Sequence, residues 1–237
     1  MKTVLKEDYG KFVKAINIGN FKVNFFISDE RDKVNPFNSK LIFLIHKIKT
    51  EYFISFSSSI DLNQIVHLIK NDNVDIKDEL DFTTISQKLK CRILHVNRYV
   101  CKSFIPKNDN TETGFKKLND HQINKLNNVC KISIDNLQTL SESNLIYLNM
   151  FKTELVGYGF VTRTFSNFCE ISVATVKPER RKGIGFETVS KMTDILTKNG
   201  KSIFYITEVK NIASNKIAKK CGYDFVIEEI IGFKTCV

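Results

Sequence analysis

The stretch "VKPERRKGIGFETV", residues 176–189, places three consecutive cations and two glycines between an apolar segment and a helical pattern. A helix N-terminus exposes amide groups that have no intrahelical acceptor, and the helix dipole favours negative charge there. Glycines at 183 and 185 let an anion approach those amides closely, while the cations at 180–182 add positive charge around it. This junction therefore predicts a phosphate-binding loop between a strand and a helix.

The segments around this junction alternate between strand and helix patterns. The predicted order is a strand at 167–176, a helix at 183–198, a strand at 202–209, a helix at 214–221 and a strand at 223–233. Gly200 is expected to end the first of these helices. Because crossovers between parallel strands are right-handed, the strand before the loop is expected to lie parallel and adjacent to the strand at 202–209.

Two further helices and two further strands are predicted upstream of the loop region. They are helices at 120–129 and 133–143 and strands at 144–151 and 154–165. Before them, "FIPKNDNTETGFKK" (104–117) has the proline, glycine and polar content of a connection between folded units. This connection predicts two domains, at residues 1–105 and 106–237.

The N-terminal region also mixes strand and helix patterns. The expected elements are a short helix within 7–16, a strand at 21–28, two strands around a turn near 49–51, a helix at 61–71 and a strand or hairpin at 90–104. The whole chain is therefore expected to be an α/β (α+β) protein with a mixed central sheet in its second domain, preceded by a smaller α/β lobe.

Positive charge is concentrated near the predicted loop. The chain carries a formal net charge of +10, and residues 176–220 hold eleven Lys and Arg against four Asp and Glu. The sequence has no long basic run and no interleaving of arginine with aromatic residues, which are typical of nucleic-acid binders. A local anion site explains the charge better than a nucleic-acid surface, so no nucleic-acid partner is expected.

The sequence offers little support for a metal site or a membrane segment. Its six cysteines form no CxxC pair and have no histidine at ligand spacing, so no metal is expected. The longest apolar run, "LIFLI" at 41–45, suits a buried strand rather than a membrane span. The N-terminal residues lack the pattern of a secretory signal, so a cytoplasmic location and no membrane partner are expected.

A second motif follows the first by about thirty residues. "NIASNKIAKKCGY" begins where the strand at 202–209 ends, with Asn211 leading a helix that Gly222 and Tyr223 close. Together, the Arg180-x-x-Gly183-x-Gly185 loop and this asparagine-led helix resemble the GNAT superfamily of acetyl-CoA-dependent N-acetyltransferases. The resemblance covers residues 140–233. More loosely, residues 35–69 resemble the N-terminal lobe of the two-lobed, zwittermicin-resistance type of GNAT protein.

The resemblance implies a binding site for acetyl-CoA as the cosubstrate. A bulged strand at 168–176 would diverge from the strand at 202–209, and the pantetheine arm would bond to the backbone exposed between them. The implied cofactor-binding residues are Val173, Ala174, Thr175, Val176, Arg180, Arg181, Lys182, Gly183, Ile184, Gly185, Phe186, Asn211, Ser214 and Lys216. Either Arg180 or Arg181 would meet the pyrophosphate, because the loop is one residue shorter than in many members.

The resemblance also implies direct attack of a small-molecule primary amine on the thioester. Glu170 lies where several members carry the catalytic base, and Glu208 is a weaker candidate. Ala218 stands where many members have the tyrosine that protonates the leaving thiolate. Tyr205 and Tyr223 are nearby alternatives, although their apolar surroundings favour a core position for both.

Two functions are therefore open. One is an N-acetyltransferase, and the other is a catalytically inactive GNAT fold that binds or senses acyl-CoA, which the alanine at 218 permits. The oligomeric state is not fixed by the sequence, and a homodimer is one alternative.

Overall fold

The computed structural model describes residues 9–35, 39–72, 80–101, 115, 117–165 and 167–235. Its contacts divide the chain into two compact units. Unit 1 contains the described residues up to Val96 and those from Ile227 onward, and unit 2 contains the described residues between Asn97 and Val226. These units differ from the predicted domains because the end of the chain groups with its beginning. The predicted connection at 104–117 lies outside the described residues except for Phe115 and Lys117.

The helices and strands of the described residues are as follows in chain order. They are β1 (Lys11–Ile18), β2 (Phe21–Ser28), β3 (Ser39–Ile48), β4 (Glu51–Ser57), α1 (Leu62–Asp72), α2 (Thr83–Leu89), β5 (Arg92–Cys101), α3 (Asp120–Cys130), α4 (Ile134–Glu142), β6 (Ile146–Phe151), β7 (Glu154–Phe165), β8 (Phe168–Thr175), α5 (Ile184–Lys198), β9 (Ser202–Glu208), α6 (Ile212–Lys220) and β10 (Asp224–Thr235).

Unit 1 is built on a mixed sheet with strand order β1-β2-β4-β3-β10. The β2–β4 pair is parallel, and the other neighbours are antiparallel. Helices α1 and α2 contribute Ile65, Ile69 and Ile85 to a buried apolar cluster that includes Phe43 and Tyr52 of the sheet. The spacing of apolar residues along α1 thus produces one buried face, as an amphipathic helix requires.

The strands of unit 2 also form a mixed sheet arrangement, in which β6, β7 and β8 are antiparallel neighbours and β9 lies parallel to β8. Helix α5 packs against this sheet at Gly159 of β7, where an added Cβ would overlap the sulfur of Met192. Glycine therefore allows helix and strand to approach closely at this point. Val189, Met192 and Leu196 of α5 lie in the buried cluster beneath the helix.

Most of the predicted elements are confirmed. The α/β fold with a mixed sheet is present, and the strand before the loop is parallel and adjacent to the strand at 202–208, as the crossover rule predicted. The predicted helix within 7–16 is wrong from Lys11 onward, because Lys11–Ile18 pairs with β2 as a strand. The short helix α2 was not predicted, since its seven residues span fewer than two full turns of apolar periodicity.

Among the described residues, no helix combines the length and the apolar character needed to cross a membrane. The same residues contain no cluster of three His, Cys, Asp or Glu side chains that could hold a metal ion.

Candidate functional site

Strands β8 and β9 separate part of the way along their length. Their pairing runs from Phe168↔Ser202 to Ile171↔Tyr205 and goes no further. Strand β8 continues to Thr175 and remains paired with β7 on its other side. The β9-facing edge of β8 is therefore open beyond Ile171, which leaves backbone groups available for a ligand.

The register irregularity near this opening lies in β7. The β7–β8 ladder shifts between Val161 and Arg163, which makes Thr162 the extra residue. The bulge expected within the strand at 168–176 is thus found in the neighbouring strand instead. A bulge increases local twist, so this position can still redirect β8 close to the point where it leaves β9.

The loop after β8 leads directly into α5. Gly183 precedes the helix with a φ of 87°, and Arg181 also adopts a left-handed conformation with a φ of 67°. The first amide of the helix to find a backbone acceptor is that of Glu187, which donates to the Gly183 carbonyl at 3.1 Å. Within the described residues, the amides of 182–186 have no protein acceptor. Such a group of free donors favours an anion.

A cavity of about 630 Å³ lies at this opening. Its lining comes from β8, the loop, the start of α5, Tyr205 of β9 and one face of α6. The lining residues are Val173, Ala174, Thr175, Arg180, Arg181, Gly183, Ile184, Gly185, Phe186, Tyr205, Asn211, Ala213, Ser214, Lys216, Ile217 and Lys220. An open strand edge therefore leads to free helix N-terminal amides surrounded by cations.

The sequence model of the Acetyltransferase (GNAT) family matches residues 119–223, which include this cavity. This part of the chain is a GNAT acetyltransferase domain. The resemblance seen in the sequence at 140–233 is therefore confirmed. No curated protein matches the chain in sequence.

Several solved structures are similar to this chain at low sequence identity. A GNAT-family protein from Novosphingobium aromaticivorans is 12% identical over 60% of this chain, with a TM-score of 0.51, and the alignment covers 64% of that protein. A Drosophila protein is 13% identical, with a TM-score of 0.51, over 81% of this chain and 74% of its own. An acetyltransferase of the GNAT family from Colwellia psychrerythraea is 15% identical, with a TM-score of 0.49, over 77% of this chain and 76% of its own.

The structure brings most of the predicted cofactor-binding residues of the GNAT domain together. Twelve of the fourteen line the cavity, and the two that do not are Val176 and Lys182. Lys182 instead pairs with Glu179, since its Nζ lies 3.0 Å from Oε2 of that carboxylate. Arg180 and Arg181 both reach the cavity, and Nε of Arg180 donates to the Thr175 carbonyl at 3.5 Å.

Helix α6 supplies a longer face to the cavity than the sequence motif indicated. The motif pointed to Asn211, Ser214 and Lys216. The cavity is also lined by Ala213, Ile217 and Lys220. Their spacing of four and three residues is that of one helix face, so helical periodicity would have revealed them. Lys220 lies over the ring of Phe186 at 4.4 Å from its centroid and holds a cation at the cavity edge.

The start of α6 is fixed by two asparagines. The side chain of Asn211 accepts the Ser214 amide at 3.1 Å and caps the helix. Asn215 donates to the carbonyls of Glu208 and Asn211, and its Oδ1 accepts from Tyr99 at 2.8 Å. Asn215 was missed in the sequence because its role depends on contacts distant along the chain.

The two candidate bases both lie outside the cavity lining. The Glu170 carboxylate lies 3.0 Å from Nη2 of Arg163 and accepts the Thr162 hydroxyl at 3.3 Å. Its side chain is 21% exposed and stands one residue before the end of the β8–β9 pairing. Glu208 pairs with Lys210 at 3.2 Å and is 37% exposed.

The two candidate tyrosines have different surroundings. Tyr205 lines the cavity, whereas Tyr223 is buried and its hydroxyl bonds to the Thr193 hydroxyl at 2.5 Å. Burial raises the pKa of Tyr205, which a hydrogen bond from the Ser214 side chain partly offsets. Burial raises the pKa of Tyr223 well above its ordinary value. Both phenols are therefore neutral near pH 7.

Proposed function

We propose that this protein is an N-acetyltransferase that transfers the acetyl group of acetyl-CoA to a primary amine of a small molecule. The observation that carries the proposal is the open β8 edge, which leads to the free amides of 182–186. The GNAT family uses acetyl-CoA, and this arrangement offers both a diphosphate site and an amide-binding edge.

The residues present fit a CoA thioester. The diphosphate would be held by the amides of 182–186, with Arg180 and Arg181 beside them. At Gly185, an added Cβ would lie 3.0 Å from Cδ1 of Ile217 and 3.3 Å from Oγ1 of Thr175, so a side chain here would crowd the cavity lining. The β8 edge from Val173 onward would bond to the pantetheine amides.

Residues at α6 would hold the same arm from its other side. Asn211 uses its Oδ1 for the helix cap, which leaves the Nδ2 donor for a ligand. Ser214 and Lys216 lie further along the cavity-facing side of α6. Bound acetyl-CoA would supply the activated acyl carbon, and an amide of Val173 or Ala174 would donate to the thioester oxygen as negative charge develops there.

Glu170 is the group that we assign to proton removal from the incoming amine. It stands where β8 and β9 part, and Arg163 and Thr162 hold its carboxylate in place. Because it does not line the cavity, it would act through a water molecule. An alkylamine has a pKa of about 10, so a base is needed at neutral pH.

The second candidate function is a catalytically inactive protein that binds or senses acyl-CoA. The ion pair between Arg163 and Glu170 favours it, because the carboxylate is already held by partners within the protein. It requires the same cavity but no acyl transfer.

Calorimetry with acetyl-CoA and a thiol-release assay with a panel of amines separate these functions. The proposal expects acetyl-CoA binding and amine-dependent thiol release. Binding without amine-dependent release favours the sensing protein, and an absence of binding at millimolar acetyl-CoA overturns both.

Replacing Glu170 tests its role. We expect Glu170→Gln to lower kcat by about 100-fold while the dissociation constant for acetyl-CoA stays within about threefold. The matched variant Glu208→Gln should keep kcat close to the wild-type value. The assignment is wrong if Glu208→Gln is the variant that loses activity.

A further inference from the structure

Tyr205 occupies the closed end of the opening between β8 and β9. It is paired with Ile171, the last pair before the strands part, and it lines the cavity. The free amides of 182–186 lie at the opposite, loop end of the same cavity. If those amides hold the diphosphate, as proposed above, the arm runs toward Tyr205 and its thioester lies at that end.

The phenol of Tyr205 is a neutral donor in a nearly dry position. Its residue is only 4% exposed, and its neighbours include the buried Ala218 and Tyr223. The Ser214 side chain, on the cavity-facing side of α6, partly offsets the effect of burial on the pKa of the phenol. Burial keeps the phenol protonated across the neutral range, so it can donate to an anion.

The other side chains at the cavity do not offer an equivalent acid. Among the described lining residues, Tyr205 carries the one phenol, and the remaining polar side chains are hydroxyls, an amide and cations. Ala218 lies one helical turn after Ser214 and is fully buried, but has no proton to give. Tyr223 has its hydroxyl bonded to Thr193.

We propose that Tyr205 is the proton donor to the departing thiolate, a step that rests on the proposed acetyltransferase function. The amine nitrogen forms a bond to the acyl carbon, the carbon–sulfur bond breaks, and its electron pair remains on sulfur. The phenolic proton then passes to sulfur, which gives the free thiol. The proton released from the amine nitrogen returns to the phenolate through water, so Tyr205 is regenerated in each turnover.

The matched pair Tyr205→Phe and Tyr223→Phe tests this assignment. Both remove one buried phenolic oxygen from the same apolar cluster. We expect Tyr205→Phe to lower kcat by about 100-fold, in the range for loss of a general acid, with the acetyl-CoA dissociation constant within about threefold of wild type. Tyr223→Phe should retain kcat within about threefold, because its hydroxyl lies away from the cavity lining.

A fluorinated tyrosine at position 205 gives a measurement that a purely structural role of Tyr205 would not change. Its phenol is more acidic, so it loses its proton at lower pH, and the basic limb of the kcat profile should move to lower pH. This measurement also serves if Tyr205→Phe fails to fold.

The outcomes separate this inference from the proposed function. The inference is overturned if wild type is active but Tyr205→Phe keeps full kcat, or if fluorination leaves the pH profile unchanged. A wild-type protein that binds acetyl-CoA without releasing thiol overturns the proposed function and the inference with it. Suppose that kcat falls in Tyr205→Phe but not in Tyr223→Phe, and that fluorination moves the basic limb of the kcat profile to lower pH. These results support both the inference and the proposed function.

Discussion

At the scale of single residues, Thr207 places a polar atom in unfavourable surroundings. It stands two positions after Tyr205 on β9 and is 6% exposed, so both side chains share one face of the strand. Its hydroxyl oxygen is buried and has no hydrogen-bond partner among the described residues. An unsatisfied buried hydroxyl costs about 1–3 kcal/mol.

We expect Thr207→Val to stabilise the protein by about 1 kcal/mol, because valine keeps the shape and removes the unsatisfied oxygen. Urea denaturation of both proteins measures the change in the free energy of unfolding. The comparison variant is Thr193→Val, whose hydroxyl donates to the Val189 carbonyl at 2.7 Å and should cost stability when removed. A stability loss in Thr207→Val would mean that its hydroxyl has a partner.

At the scale of elements, the start of α6 serves the helix and the cavity together. The Asn211 side chain caps the helix, and the residue also lines the cavity. The cap at the start of α3 gives a comparison, since Asn119 and Gln122 form a capping box there. Neither of these two residues lines the cavity.

We expect Asn211→Ala and Asn119→Ala each to lower the free energy of unfolding by about 1 kcal/mol, the usual value of an N-cap. Only Asn211→Ala should also weaken acetyl-CoA binding, by about five- to tenfold for one lost hydrogen bond. Chemical denaturation and calorimetry on both variants make the comparison. Equal acetyl-CoA affinity in the two would restrict Asn211 to helix capping.

At the scale of the whole molecule, the end of the chain belongs to unit 1. Residues from Glu229 to Thr235 of β10 pair with β3. In the unit 1 core, the His46 ring contacts the Tyr9 hydroxyl through Nδ1 and the Glu229 carboxylate through Nε2. The side chains of His46 and Glu229 are both fully buried, so loss of their contact would leave a polar group in the core without one of its partners.

We therefore expect Glu229→Ala to destabilise the protein by roughly 3 kcal/mol, because it removes the carboxylate partner of a buried histidine. Glu228→Ala, at the exposed neighbouring position, should change stability by less than about 0.5 kcal/mol. Thermal or urea unfolding of both variants measures the change in the free energy of unfolding. Similar stabilities would show that the Glu229 contact adds little.

Local sequence patterns determined the strands and helices of unit 2, the glycine loop and the asparagine-led helix. These features depend on short-range periodicity, turn chemistry and helix-end electrostatics, which neighbouring residues encode. The same local signals located most of the cavity lining, since the loop and the helix that follow two adjacent parallel strands lie at the same end of the sheet.

Tertiary structure alone decided which side chains face the cavity and which are taken by partners. Lys182 turns to Glu179, Glu170 is held by Arg163, and Tyr205 reaches the point where the strands part. The grouping of the chain from Ile227 onward with unit 1 was likewise invisible in the sequence. Each depends on contacts between residues distant along the chain or on the direction of a side chain, and a local pattern specifies neither.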